Sequence, residues 1–351
     1  VSRNGAALGA AALIFLAGGS PSRPERPGQD PGRVVRARYL MGTVFRFEAP
    51  AGRDAAATAA ALEAGLDEVG RWEKILSNWD PGSETSRLNA RRGMGMTRVT
   101  PELFRAVTSS LQWARATGGA FDPTLEPLTR AFRHQAPVES FLSQPQKRPR
   151  WTDVEVDARR GWVAIPPRSG LDFGGIGKGF ALDEAAGVLR RRGVADALLD
   201  AGGQLLALGA PPGEPGWRIG VADPEHRDRS LLSLILKNAS AATSGNAERP
   251  GEILDPVTGR PIPGSASATA IAPLATSADA LSTALFVMGP QRGTAYARGR
   301  DDLVAVFVQP TSRPEGGARV LGNLPADPVS THFIILGPED PHDRRLRVEA
   351  R

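Results

Sequence analysis

The sequence predicts an α+β fold: a single large mixed α/β domain with antiparallel-rich sheets and helices packed on them. Three observations carry this. Short apolar runs around 196–200, 204–208, 216–221 and 231–237 follow one another in hairpin succession. Helical patterns interrupt the strands without the regular alternation of a doubly wound parallel sheet. Composition suits a buried core, since 41% of the 351 residues are hydrophobic and 23% are charged.

Taken in order, the N-terminal stretch AALGAAALIFLAGG follows a single Arg and is shorter than the roughly 20 residues of a membrane span. We expect residues 1–19 to be a signal peptide or N-terminal anchor. Residues 20–33 are Pro, Gly and charge, hence a flexible linker, and residues 34–351 form the folded domain. VVRARYLMGTVFRFE reads as two strands broken at Met41-Gly42-Thr43. Residues 54–78 are Ala-rich with helical spacing of apolar positions. A second helix opens with Thr100 as N-cap and Pro101 at the first helical position, and stops at Gly118-Gly119. Residues 134–160 read as a polar surface excursion. A strand at 162–165 leads through a Gly loop into a helix closed by Gly193. SATAIA, LVAVFV and HFIIL read as strands, and TSADALSTALFVMG as a helix.

The net charge of +5 is spread along the chain, with no basic cluster interleaved with aromatic residues, so no nucleic-acid face is expected. With no cysteine, disulfides, thiolate metal sites and cysteine nucleophiles are excluded. His134, His226, His332 and His342 lie outside every motif below, which gives a Ser-His-Asp triad no support.

Four stretches could carry chemistry. GGIGKGF (174–180) is a Gly-rich turn into a helix, suited to phosphate, with Lys178 inside it and Asp172 just before. It is neither a Walker A nor a dinucleotide fingerprint, and such turns are also common as plain structure. In TSADALSTALF, Asp279 and Thr283 share a helix face as two hard oxygen donors, which suits Mg²⁺. Taken alone, such a pair is more often a cap and a back-bonded hydroxyl. GGAFDPTLEPL and LSNWDPGSETSRLN each place an aromatic residue, Phe121 and Trp79, before an Asp-Pro turn.

In this order, MGT, S-x-W-DP…S-x-LN, GGAFDPT…PL, DFGGIGKGFALD, AGG, TSG, ILDPVTGRP and ADALSTALFVMG together resemble the ApbE family. These are FAD:protein FMN transferases of T-fold-like architecture, and the resemblance runs from about Tyr39 to Gly289. It implies that FAD is held with Mg²⁺ on its pyrophosphate while a client Thr or Ser hydroxyl attacks the FMN-side phosphorus and AMP leaves. The client is expected to be a flavoprotein subunit of a membrane redox complex. The protein is then exported, to the periplasm or the outer face of the cytoplasmic membrane. By position, Met41, Trp79, Ala120, Phe121, Asp122 and Ile253 contact the cofactor. Asp172 and Lys178 hold its polar groups, and Asp279, Thr283 and the Gly175 carbonyl ligate the metal.

The stretch GEILDPVTGRP departs from the family pattern, which has His-Ile-Ile/Leu-Asp-Pro-x-Thr-Gly with the His as base. Here Glu252 holds that position, and Asp255 is the next carboxylate along the chain. A carboxylate is a weaker base than an imidazole at neutral pH. Besides transfer, the change is compatible with flavin binding alone or with Mg²⁺-dependent FAD pyrophosphatase activity, in which water replaces the client.

Overall fold

A computed structural model of the chain describes residues 14–15, 32–134, 136, 150–226, 228–246, 251–264, 266–310, 318–323, 333–337 and 346–350. Its centre is a nine-stranded sheet in the order β16-β14-β13-β12-β11-β8-β7-β3-β2. These are Leu346–Ala350 (β16), Ala318–Gly322 (β14), Val304–Pro310 (β13), Ser267–Ala272 (β12), Ala239–Gly245 (β11), Leu205–Leu208 (β8), Ala197–Ala201 (β7), Thr43–Pro50 (β3) and Arg33–Leu40 (β2). Every neighbouring pair is antiparallel except β14 with β16. The expected antiparallel-rich α+β architecture is what forms.

The pleat sorts side chains to two faces. On one, Phe45 and Phe47 of β3 and Leu199 of β7 pack under Ala55–Leu76 (α1) and Gly177–Arg191 (α5). Ala268 and Ala270 of β12 pack under Ala275–Ala297 (α6). On the other face, Leu198, Leu205 and Ala207 meet a second sheet. That sheet runs Ile14–Phe15 (β1), Trp217–Ala222 (β9), Ser230–Leu236 (β10) and Phe333–Gly337 (β15). The result is helices on sheet on sheet. A three-stranded sheet of Thr97–Arg98 (β4), Trp162–Ala164 (β6) and Glu155–Asp157 (β5) has its own hydrogen-bond ladder and joins the main core through Val163.

Helix boundaries follow local chemistry. Asp54 caps α1 by accepting from Ala56 N and Ala57 N. Thr100 caps Pro101–Ala116 (α3), accepting from Leu103 N, as its sequence predicts. The last helix does not end at Gly289 as expected. Gly289 adopts φ 71°, and Pro290 then starts a second helical piece that runs to Ala297. Two stretches read as loops contain short helices, Glu84–Ala90 (α2) and Glu126–Arg133 (α4). Strand β11, which carries TSG, also goes beyond the expected set. In the expected excursion, Trp151–Asp153 form a 3-10 turn ahead of β5, while residues 137–149 lie outside the described residues.

Most of the N-terminal segment and linker, residues 1–13 and 16–31, lies outside the described residues too. Ile14 and Phe15 pair antiparallel with Val221 and Gly220. Among the described residues, no helix is long and apolar enough to cross a membrane.

Candidate active site

Helices α5 and α6 meet at their N-terminal ends. A Cβ on Gly179 would stand 2.4 Å from the Ala275 carbonyl oxygen and 2.6 Å from Thr276 Cα, so only glycine permits this approach. Neither helix is capped by its own N-cap side chain, because Ile176 and Leu274 hold those positions. Each helix instead sends a carboxylate to the other. Asp183 of α5 accepts from Ala275 N (2.9 Å), Thr276 N (2.8 Å) and Thr276 Oγ1 (2.7 Å). Burial pushes the Asp183 carboxyl above its usual range, against the pull of those same donors. Asp279 of α6 accepts from Gly179 N at 3.0 Å.

Lys178 Nζ lies 3.5 Å from Asp279 Oδ1. A cation in the first turn of a helix opposes the helix dipole. Two helix ends and a lysine therefore converge with the carboxylates of Asp183 and Asp279, so a multiply charged anion held here would draw on Lys178 and on a cation bound at Asp279.

The expected metal ligands lie alongside. A Cβ on Gly175 would stand 2.8 Å from Thr283 Oγ1 and 3.3 Å from Phe121 Cε2, so the Gly loop passes directly against the Thr283 hydroxyl. Ser244 Oγ of β11 lies 2.9 Å from Ser282 Oγ and 3.3 Å from Thr283 Oγ1. Asp279 is only 4% exposed, yet among the described residues its carboxylate meets one N–H at 3.0 Å and one ammonium at 3.5 Å. A carboxylate buried that deeply is costly without further positive partners, which fits a cation ligand. Among the described residues no three His, Asp or Glu side chains gather as a metal site. A cation here would rest on one carboxylate, one hydroxyl and one carbonyl, and would complete its shell with water and phosphate oxygens, as Mg²⁺ prefers.

The remaining residues flank this centre. Asp172 N donates to Pro123 O at 2.8 Å and Gly170 N to Thr124 O at 3.2 Å, joining the GGAFDP loop to the Gly loop. Ala120 and Phe121 are buried, with Phe121 supporting Gly175 from inside the core. Asp122 closes a turn on Thr124 N at 2.8 Å, and burial raises its carboxyl against the opposing Thr124 bonds. Asp172 Oδ1 accepts from Gly174 N (2.9 Å), and Oδ2 accepts from Thr129 Oγ1 (2.7 Å) and Arg133 (3.0 Å). Trp79 is 65% exposed, with the Arg133 guanidinium 4.1 Å from its ring centroid. Met41 adopts φ 49° and donates its N–H to Glu73 Oε1 at 2.6 Å, one turn before the loop that carries Trp79.

In GEILDP, Leu254 packs with Leu125 and Leu128 beside the GGAFDP loop. Ile253 is half-buried against the cluster that holds Leu281 and Leu285 of α6. Glu252 is exposed. Asp255 is engaged by its own turn, with Oδ1 accepting from Val257 N (2.8 Å) and Oδ2 from Thr258 Oγ1 (3.0 Å).

Sequence reasoning missed several residues. Asp183 caps a helix 92 residues away, a partnership invisible in local spacing. Asn89, last of the S-x-LN motif, pairs with Leu171 through Nδ2 to O (2.9 Å) and N to Oδ1 (2.7 Å), as a strand would. Its place in a motif was the one available signal. Ser244 had the same kind of signal, its place in TSG, whereas Thr129 and Arg133 carried none on their own.

A sequence model of the ApbE family matches residues 41–308. The FAD:protein FMN transferase of Treponema pallidum is 30% identical over 320 residues, covering 82% of this chain and 88% of that protein. That of Salmonella typhimurium is 27% identical over 317 residues, covering 85% and 90%. The crystal structure of the ApbE protein of Thermotoga maritima superposes with a TM-score of 0.72 at 28% identity, covering 79% of this chain and 94% of that one. The matched span contains every residue of the centre formed by α5, α6 and the Gly loop, and the fold is shared over 79% of the chain: this chain belongs to the ApbE family.

Proposed function

We propose that this chain transfers FMN from FAD to a Ser or Thr hydroxyl of a client protein and releases AMP. The observation that carries the reading is the convergence of two helix N-termini and Lys178 over Asp279, Thr283 and Gly175. Relatives named FAD:protein FMN transferase supply the identity of the dinucleotide.

In this reading Asp279, Thr283 and the Gly175 carbonyl hold Mg²⁺. When bound, the ion draws charge from the phosphate oxygens and fixes their orientation. Lys178 and the N-terminus of α5 bind the pyrophosphate, so catalysis is chiefly positioning and charge neutralisation. Ser244 orients the Thr283 hydroxyl through the 3.3 Å contact. The client oxygen bonds to the FMN-side phosphorus, the bond from that phosphorus to the bridging oxygen breaks, and AMP departs with that oxygen. Glu252 takes the client's hydroxyl proton. Its exposure, next to Ile253 on the α6 side, supports this role.

The client we propose is a subunit of a membrane redox complex. Export to the periplasm or the outer face of the cytoplasmic membrane is supported by the apolar N-terminal run after Arg3.

Incubation with FAD, Mg²⁺ and a Thr-bearing peptide tests the reading. It predicts flavin covalently on the peptide with one AMP released per flavin. Free FMN and AMP with an unlabelled peptide would assign a pyrophosphatase instead. Glu252→Gln is expected to slow transfer by about 10²–10⁴-fold, the usual cost of losing a general base. Transfer at the unaltered rate would remove Glu252 from the mechanism.

A further inference from the structure

We infer that Arg133 is a positioning residue that fixes Trp79 as a one-sided stacking platform for the flavin ring; this rests on the function proposed above. Trp79 is among the most exposed large apolar side chains described, at 65%. One face of its indole is covered by the Arg133 guanidinium at 4.1 Å, well inside the roughly 6 Å reach of a cation–π contact. That leaves the opposite face to receive a ring.

Arg133 is not a loose surface side chain. It is ion-paired with Asp172 at 3.0 Å, with the two side chains 22% and 12% exposed. Thr129, one turn earlier on α4, bonds the same carboxylate oxygen at 2.7 Å, so α4 grips Asp172 through two side chains of one face. The other oxygen of Asp172 receives Gly174 N, at the head of the loop that runs through Gly175 to Lys178. From the opposite side, the paired hydrogen bonds of Asn89 hold Leu171. A continuous chain of contacts thus runs from Trp79 through Arg133 and Asp172 to the phosphate-binding loop.

The consequence is geometric. In a flavin dinucleotide the ring and the phosphates are joined by one short ribityl chain, so a site gains by fixing the ring plane relative to the phosphate loop. Arg133 does this before the ligand arrives, so that Trp79 loses little rotamer freedom on binding. A three-ring, electron-poor flavin covers an electron-rich indole more completely than adenine does. The flavin is therefore the ring assigned to this face.

Dissociation constants for FAD, FMN and ADP, measured with Mg²⁺ on wild type, Arg133→Ala, Arg133→Lys and Trp79→Ala, test the inference. Arg133→Ala is expected to weaken FAD and FMN about five- to tenfold, within the range of one cation–π contact, and to leave ADP within about twofold. Arg133→Lys keeps a charge for Asp172 without the planar stack, so it should show the same flavin-selective loss in smaller measure. It serves as the decisive variant if Arg133→Ala does not fold. Adding Arg133→Ala to Trp79→Ala should cost flavin binding nothing further. Equal losses for FAD and ADP, a loss confined to ADP, or no loss would each overturn the inference while leaving the transferase reading intact. A wild-type protein that binds ADP and neither flavin would overturn both.

Discussion

Asp183 and Asp279 answer each other across the junction of α5 and α6, and the junction uses them differently. Asp183 reaches from α5 to the first turn of α6 and receives three donors on two oxygens. Asp279 reaches from α6 to the first turn of α5, is more deeply buried, and receives one N–H and a lysine at 3.5 Å. The first carboxylate is saturated by the fold. The second has lone pairs to offer a ligand. Similar placement thus yields a structural clamp on one side and a candidate metal ligand on the other, and the number of donors distinguishes them.

Substitution separates the two roles. Asp279→Ala should abolish metal-dependent turnover, a loss beyond the roughly 10–100-fold typical of residues that only support a ligand. Its melting temperature should stay close to wild type, because one inter-helix hydrogen bond is lost. Rates measured across a Mg²⁺ series, beside a thermal melt, check both halves, and retained Mg²⁺ dependence would return Asp279 to a capping role.

Asp200 sharpens the contrast, since it is a half-buried carboxylate on β7 facing the same side of the central sheet as Leu198, away from α5 and α6. Burial raises Asp200 to about 6, against Gly203 N–H and Arg46, with Glu48 adding repulsion. A carboxyl raised in the folded state contributes stability that is fully present below its unfolded value near 3.8 and is lost as pH rises through about 6. Asp200→Asn should therefore gain on wild type as pH climbs from 4 to 7, by about 2 kcal/mol in urea denaturation. A constant difference across that range would contradict the assignment.

Asp183→Ala should show the reverse of Asp279→Ala, a stability loss of about 2 kcal/mol from a missing cap and stranded donors. Asp183→Asn, whose amide oxygen still accepts, should recover most of it, and turnover per folded molecule should persist in both. The smallest effect belongs to Lys178→Ala, which should weaken FAD binding about tenfold, the scale of a charge-assisted hydrogen bond. Unaltered affinity in equilibrium dialysis would make that lysine a partner of Asp279 alone.

Much of this contrast was legible in the sequence, though not its decisive half. Asp279 and Thr283 announce a shared face by their spacing, and Lys178 announces itself by sitting in a Gly loop before a helix. The long helices α1, α3 and α5 show through periodicity and caps. Helices α2 and α4, at 7 and 8 residues, are too short for a periodic pattern to register. Strand β11 reads ASAATSG, small residues whose strand character comes from the neighbours β8 and β12 rather than from propensity. Asp183 and Arg133 act through partners distant in sequence, so only the folded chain reveals what they do.

The most direct test is the binding of Mg²⁺ to the ADP-loaded protein, measured calorimetrically on wild type, Asp279→Asn and Asp183→Asn. The account predicts that wild type and Asp183→Asn each take up one Mg²⁺ per nucleotide-bound chain and that Asp279→Asn does not. Wild-type Mg²⁺ affinity in Asp279→Asn, or its loss in a folded Asp183→Asn, would contradict the division of labour between the two carboxylates.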